Sequence, residues 1–216
     1  MTYRFRVTRT LSLAVLALPL AFLTVGCAGG STHLTVTSVQ NHRTYQQPFA
    51  KAYAGRSEQG DFDVVLVRDG AAGKSVPAVR QVMHVRVLWK PMKGTKLDHP
   101  TATNATIDWY VFDGSGAGGM VAYSGAGFVD VQQSGGVATL DIRNATLKPT
   151  TREGGMIDPI GPARLQGTVV ARTGRTAQVR EILAQTREST AQANAARDAA
   201  RHAAAREASS RAPVEP

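Results

Sequence analysis

The amino-acid sequence predicts a mainly β protein: an antiparallel β-sandwich of seven or eight strands, followed by a long alanine-rich C-terminal α-helix. Between residues 33 and 171 apolar residues recur with a period of two, the period of strands that bury one face. Turn-forming residues separate these runs, and no helical pattern interrupts them. Such an array is typical of an antiparallel sandwich or barrel. After Gly174 the apolar period becomes helical.

The predicted strands follow one another along this region. Five of them alternate apolar with polar residues, and their apolar members are Leu34 and Val36; Phe62, Val64 and Leu66; Met83, Val85, Val87 and Trp89; Ile107, Trp109 and Val111; and Leu140 and Ile142. Leu165, Val169 and Val170 mark the last strand. A glycine-rich strand is predicted over 120–132, and the sequence Ser134-Gly135-Gly136 predicts a hairpin turn after it. Residues 148–162 are rich in Gly and Pro, which predicts a long loop.

A helix is predicted over residues 177–208, with Thr176 able to cap its start. A two-turn stripe that can pack on the sheet consists of Val179, Ile182, Leu183 and Thr186. Ten of the eighteen residues from 191 to 208 are alanine. Because alanine buries little area, at about 25 cal/mol per Å², a solvated helical tail is favoured over self-association through this segment.

Length and composition restrict the protein to one ordinary domain with an appendage. The chain has 216 residues, of which 19% are charged, too few for a disordered polyelectrolyte. The single cysteine excludes an intrachain disulfide framework and a multi-cysteine zinc site. The patterns above place the β-sandwich domain at 33–172 and the helix with its tail at 173–216.

The N-terminus has the layout of a secretory signal. Arg4, Arg6 and Arg9 form a basic region, and Leu11–Val25 is an uncharged stretch that contains Pro19. This stretch of 15 residues is shorter than the roughly 20 apolar residues of a membrane span. It therefore indicates a signal peptide rather than a transmembrane helix.

The stretch ends in Leu23-Thr24-Val25-Gly26-Cys27, which resembles the lipobox of bacterial lipoprotein signal peptides. The resemblance implies removal of residues 1–26 by cleavage between Gly26 and Cys27, and lipidation of the Cys27 sulfur and amine. Residues 27–32 would then form the lipidated cysteine and a flexible tether. Ala28 after the cysteine implies a lipid anchor in the outer membrane, facing the periplasm. The alternative is an ordinary cleavage site at which Cys27 is incidental.

Net charge argues against nucleic acid as a partner. The chain carries 25 basic and 16 acidic residues, a net +9. The signal takes three arginines with it, so the mature chain has 22 − 16 = +6. This surplus is spread along the chain rather than gathered into a basic stripe.

Aromatic residues supply the candidate contact positions. Trp109 alternates with Ile107 and Val111 and is expected in the core. Tyr110 and Phe112 fall on the opposite face, which is either covered or a contact surface. A pocket between two sheets, lined by Trp89, Trp109 and Phe128, would serve a small-molecule or glycan carrier. These five aromatic residues, Trp89, Trp109, Tyr110, Phe112 and Phe128, are the predicted contact or pocket residues.

Motifs for chemistry are weak throughout the sequence. Residues 114–119 match G-x-G-x-x-G, but a strand-like run follows where a dinucleotide site needs a helix. Residues 70–75 resemble a P-loop but lack its first glycine. The five histidines have no metal-ligand spacing, and Asp61 and Asp63 are interpreted as solvated edge charges. No catalytic residue, metal or cofactor is predicted.

The sequence therefore predicts a membrane-anchored envelope lipoprotein that is a non-enzymatic binding or structural module. Its expected partners are the membrane, through the lipid, and an envelope protein or the cell wall. Two alternatives remain open. One is the carrier with a pocket between sheets, and the other is a hydrolase whose acid, base and nucleophile come together from loops.

Overall fold

The computed structural model of the protein describes residues 32–70, 79–90, 103–113, 119–158 and 160–210. They form nine strands in one sheet and one helix. The strands are β1 (His33–Ser38), β2 (Thr44–Gln47), β3 (Lys51–Arg56), β4 (Phe62–Arg68), β5 (Arg80–Val87), β6 (Ala105–Phe112), β7 (Met120–Ser134), β8 (Val137–Glu153) and β9 (Ala163–Arg172), and the helix is α1 (Thr176–Ser210). The predicted signal and the cleavage and lipidation site at Gly26 and Cys27 lie outside the described residues, as do residues 114–118.

The sheet closes on itself through β9. One edge of β9 pairs with β8, and the other pairs with β1 and, at Arg172, with β3. Since β3 to β8 pair in sequence order, seven strands form a ring. Neighbouring strands are antiparallel except at β3–β9, because a ring with an odd number of strands cannot alternate direction throughout.

The mainly β fold with a C-terminal helix is confirmed. Two packed sheets and purely antiparallel pairing are not confirmed, since the described strands form a single mixed sheet. The alternating pattern indicates only that each strand buries one face. Because strands do so both in a sandwich and in a closed sheet, the pattern does not distinguish these two architectures. Closure depends on pairing between β8 and β9 and between β3 and β9, which the periodicity of each strand does not encode.

Two short strands were not predicted. β2 (Thr44–Gln47) pairs with β1, and β3 (Lys51–Arg56) pairs with β4. β2 (TYQQ) and β3 (KAYAGR) each contain a single tyrosine among mainly polar or small residues, so neither shows the apolar alternation that marks a strand.

The region predicted as a loop from 148 to 162 is partly strand, because β8 continues to Glu153. Pro149 is accommodated beyond Leu147, where pairing with β9 has ended. It also lies at a register shift against Tyr123 of β7, and bulges and unpaired edges tolerate a residue without a backbone N–H. The predicted hairpin is confirmed: Gly135 and Gly136 join β7 to β8 with φ of 57° and 78°.

One face of the closed sheet holds the main hydrophobic core. Its largest fully buried members are Trp109, Tyr123, Leu34, Leu66, Met83, Ile107, Leu140, Ile142, Leu147 and Leu165. The rings of Trp109 and Tyr123 stack with their centroids 5.0 Å apart. The core position predicted for Trp109 is thus confirmed.

Helix α1 packs on the opposite face of the sheet. Its buried Val179 and Ala193 join a second apolar cluster formed with Val65, Val67, Val82, Phe112 and Met120. The start of α1 lies against β3, where a Cβ on Gly55 would come within 2.7 Å of the Thr176 Cα. The Thr176 hydroxyl accepts a hydrogen bond from the Arg56 amide on β3, which ties the helix start to the sheet.

The helix stays on the sheet beyond the predicted two-turn stripe. Ala193 is buried, and Arg197 forms a 2.9 Å ion pair with buried Glu153 at the end of β8. The expectation of a solvated tail therefore applies only after Arg197, since residues 198–207 are exposed. Among the described residues, no helix is both long enough and apolar enough to cross a membrane.

Candidate functional site: a polar groove beside the C-terminal helix

A polar groove runs between α1 and the strands beneath it, and we call it the α1 groove. One section, of about 420 Å³, is lined by His84, Arg86, Thr106, Asp108, Tyr110, Leu183, Thr186, Arg187, Thr190, Ala191 and Asn194. The adjoining section, of about 510 Å³, is lined by Ser57, Glu58, Gln59, Asp63, Arg86, Arg180, Leu183 and Arg187. Arg86, Leu183 and Arg187 belong to both sections, so the two are continuous.

Strand register assembles the floor of the groove. Asp63 on β4 lies opposite Arg86 on β5. His84 on β5 lies opposite Asp108 on β6, which in turn lies opposite Ser124 on β7. Side chains at alternate positions share one face of a sheet. The polar members of three apolar–polar strand patterns therefore meet on the face that α1 partly covers.

Asp63 is the centre of a buried ion-pair network in this floor. Its carboxylate accepts a 2.8 Å hydrogen bond from His84 Nε2 and a 3.3 Å bond from Arg86 Nε. Burial opposes ionisation of Asp63, but the hydrogen bond and attraction of His84, together with Arg86, outweigh burial and lower its pKa. The interpretation of Asp63 as a solvated edge charge is wrong, because β4 lies between β3 and β5 and is not an edge strand.

A second short hydrogen bond lies beside this network. Ser124 Oγ donates to Asp108 Oδ1 at 2.5 Å. A nucleophilic serine normally donates to a base such as histidine, which a third group orients. Here the serine's partner is the carboxylate, and His84 Nε2 is occupied by Asp63. This arrangement presents the Asp108 carboxylate and His84 to a ligand as polar groups held in place by hydrogen bonds.

The wall of the groove formed by α1 contributes a cation. Arg187 lines both sections, and within the described part of the chain its guanidinium makes no hydrogen bond or ion pair. By contrast, Arg180 lies 3.6 Å from Glu58 and Arg86 bonds Asp63. Arg187 is therefore the groove cation whose donors remain available to a ligand.

Tyr110 forms an aromatic side of the groove. Its ring stacks on Phe112, with centroids 6.2 Å apart. Burial and the Asp108 carboxylate raise the pKa of Tyr110, and the positive charge of Arg187 opposes that rise. The prediction that the face of Tyr110 and Phe112 is covered is confirmed, since both belong to the cluster under α1.

The structure separates the three residues predicted to line an internal pocket. Trp109 is buried in the main core, where its Nε1 has no hydrogen-bond partner among the described residues. Phe128 is buried outside both apolar clusters. Trp89 is 43% exposed beyond the end of β5. Only Tyr110, of the five predicted aromatic residues, lines the α1 groove.

A separate polar cluster around Asp158 lies against the main core at Tyr123. Asp158 accepts hydrogen bonds from the Tyr123 hydroxyl at 2.5 Å and from the backbone amides of Ile160 and Gly161, and it pairs with Arg152 at 2.6 Å. Burial opposes ionisation of Asp158, but these partners prevail and lower its pKa. Burial and the bond to Asp158 raise the pKa of Tyr123. Within the described part of the chain, the hydrogen-bond partners of Asp158 all belong to the protein itself, so this cluster holds the chain after β8 in place.

Sequence reasoning missed the α1 groove because its residues come from five elements. His84 and Asp63 each lie on the polar side of an alternating strand, and only the register between β4 and β5 joins them. Within the described residues, no three His, Cys, Asp or Glu side chains gather as a metal site. Comparisons with protein-family models, curated protein sequences and solved structures find no match for this chain.

Proposed function

We propose that this chain is a lipid-anchored protein of the bacterial envelope whose β domain is a non-enzymatic binding module. The lipobox-like sequence before Cys27 supports the anchor, since the only cysteine of the chain falls at the lipidated position. Two or three acyl chains on one residue hold a protein firmly to a bilayer. Ala28 supports the outer membrane as its location.

The α1 groove is the binding site in this proposal. The observation that carries it is Arg187, a groove-lining cation without an ion-pair partner among the described residues. Asp108, whose carboxylate accepts a hydrogen bond from Ser124, and the ring of Tyr110 line the same section of the groove. The site thus offers one positive charge without an ion-pair partner among the described residues, a set of hydroxyl and carboxylate oxygens, and an aromatic face.

This combination favours an acidic saccharide as the ligand. A ligand carboxylate can pair with the Arg187 guanidinium in a bidentate manner. Sugar hydroxyls can donate to Asp108 and bond Thr106 or Asn194, and an aromatic ring such as that of Tyr110 can cover the apolar face of a sugar. Acidic saccharide polymers of the envelope are accessible to a protein held at an envelope membrane. The proposed ligand is therefore consistent with the proposed anchor.

The hydrogen-bond partners of Ser124 and His84 favour binding over hydrolysis as the function of the groove. A hydrolase needs a nucleophile that is hydrogen-bonded to a base, and a third group that orients the base. Ser124 is bonded to the groove-lining Asp108, whereas His84 is bonded to Asp63. The carrier with an internal pocket loses support as well, because Trp89 is on the surface while Trp109 is in the core.

Titration of a uronic-acid oligosaccharide, with its neutral glucose counterpart as the comparison ligand, tests this function. We expect the acidic ligand to bind more tightly and to shift the NMR signals of the groove. Arg187→Gln should weaken binding about tenfold, equivalent to about 1.4 kcal/mol. Arg206→Gln, an exposed arginine further along α1, is the matched control and should bind normally. Equal affinity for both ligands, or equal effects of both variants, would contradict the proposal.

A further inference from the structure

An exposed apolar pair follows β5 directly. Leu88 is 49% and Trp89 is 43% exposed. Their backbone is nonetheless fixed, because the Leu88 amide donates to the Asn104 carbonyl and Asn104 Nδ2 donates to the Trp89 carbonyl at 3.1 Å. Asn104 is fully buried and also bonds the backbone of Val129. The fold therefore holds a leucine and a tryptophan in solvent on an anchored segment.

Strand directions place this pair at the same end of the sheet as the start of β1. Following the antiparallel pairs from β1 through β9, β8, β7 and β6 to β5 gives five reversals, so β1 and β5 run in opposite directions. The end of β5 and the beginning of β1 at His33 therefore lie at one end of the closed sheet. We call this the β1-entry end.

The β1-entry end carries more exposed cations than anions. Its exposed cations among the described residues are Arg56, Lys90, Arg143, Arg172, Arg175 and Arg180. Its acidic residues in the same part of the chain are Glu58, Asp61, Asp130 and Asp141, of which Glu58 is paired with Arg180 and Asp141 with Arg143. Cations beside exposed tryptophan and leucine suit the interface of an anionic bilayer, where tryptophan is enriched and basic residues are attracted.

We propose that the β1-entry end rests on the bilayer surface and that Leu88 and Trp89 insert into its interfacial region. This orientation rests on the proposed lipid anchor. Cys27 is six residues before His33, a tether that spans at most about 20 Å when fully extended. The anchor therefore keeps this end of the sheet close to lipid, and the exposed Leu88–Trp89 pair supplies the apolar surface that contacts it.

The orientation also directs the rest of the molecule. Helix α1 starts beside Arg56 at the β1-entry end and reaches Glu153 at the end of β8. Since β8 and β1 are both antiparallel to β9, the end of β8 lies at the opposite end of the sheet. The exposed residues of α1 after Arg197 would therefore point away from the membrane.

Tryptophan fluorescence tests the orientation directly, because the chain has two tryptophans and Trp109 is buried in the core. The lipidated protein is reconstituted in vesicles of phosphatidylethanolamine and phosphatidylglycerol, with and without bromine on the acyl chains. The emission of Trp89 is the difference between the wild type and Trp89→Phe, and we expect bromine to quench most of it. The emission that remains in Trp89→Phe comes from Trp109, and bromine should leave it unchanged. Ile157→Ser, at an 86% exposed residue after β8, is the control and should be quenched like the wild type.

Two outcomes overturn the orientation in distinguishable ways. An acylated protein whose Trp89 emission is insensitive to brominated lipid, or whose total emission is quenched equally in wild type and Trp89→Phe, refutes bilayer contact at this end and leaves the anchor standing. The intact mass of the same preparation reports acylation separately. A Cys27 without acyl chains would refute the anchor, and the orientation with it.

Discussion

The Nε2 atom of His84 on β5 donates a 2.8 Å hydrogen bond to Asp63 on β4, on the face of the sheet that bears α1. Arg86 adds a second bond to the same carboxylate. Both His84 and Asp63 are nearly inaccessible to solvent. The pair forms part of the polar floor of the α1 groove, and the hydrogen-bond donors of Arg187 on the wall of that groove remain available to a ligand.

Removing the carboxylate of Asp63 should destabilise the protein. In Asp63→Ala, His84 and Arg86 lose a buried acceptor, and an unsatisfied buried partner costs about 1–3 kcal/mol. Urea unfolding at neutral pH measures the change. Asp61→Asn is the control, since Asp61 immediately precedes β4 and its side chain has no hydrogen bond or ion pair among the described residues. Equal stability of Asp63→Ala and wild type would show that the network contributes nothing.

The hydrogen bonds that Asp158 accepts from the Gly161 amide, the Tyr123 hydroxyl and the Ile160 amide should make the stability of the protein depend on pH in acid. The folded-state pKa of Asp158 is lowered, so its contribution is present above the ordinary carboxyl pKa of 3.8 and is lost as the pH falls through the lowered value. We expect Asp158→Asn to be less stable than wild type at pH 7, with a smaller difference in strong acid. A difference that stays constant with pH would contradict this assignment.

The hydroxyl of Tyr123 can be tested without disturbing its stacking on Trp109. Tyr123→Phe keeps the ring and should lose about 1–2 kcal/mol, because Asp158 then loses a buried donor. Tyr110→Phe is matched to it, since the Tyr110 hydroxyl makes no hydrogen bond within the described residues. Thermal unfolding of both variants gives the comparison. Similar losses in the two variants would assign the effect to packing alone.

The ion pair between Arg197 and Glu153 should hold the second half of α1 on the sheet. In Arg197→Ala, Glu153 remains buried without this cation, so we expect faster amide hydrogen exchange from about residue 190 onward. The first turns, fixed by Val179 and Thr186, should keep their protection. Arg201→Ala removes an exposed arginine one turn later and should leave exchange unchanged. Uniform protection in Arg197→Ala would show that apolar packing alone seats the helix.

The sequence predicted most strands because alternation is a local property of each strand. Val64 and Leu66, or Val85 and Val87, reveal the buried face without any knowledge of their neighbours. Closure of the sheet was not predictable in this way, since it depends on pairs such as Tyr53 with Arg172 that are distant in sequence. The strand β2 escaped prediction because its residues are mainly polar.

The candidate site was less predictable than the fold for the same physical reason. The stripe of Val179, Ile182 and Leu183 indicated that α1 packs on the sheet, and Tyr110 was expected beneath a cover. The partners of Asp63, in contrast, depend on the register between β4 and β5. A shift of one residue in that register would move different side chains next to Asp63. The sequence does not distinguish Arg187 from a solvated helix residue, because its role depends on the position of α1 beside the floor of the groove.

The mass of the mature N-terminal peptide tests the proposed identity most directly. The protein is purified from the membrane fraction of a bacterial host and compared with Cys27→Ala after metabolic labelling with palmitate. The lipoprotein proposal predicts a chain that starts at Cys27, carries the mass of a diacylglyceryl group and incorporates label that Cys27→Ala loses. A mature chain with an unmodified Cys27, or label that persists in Cys27→Ala, would contradict it.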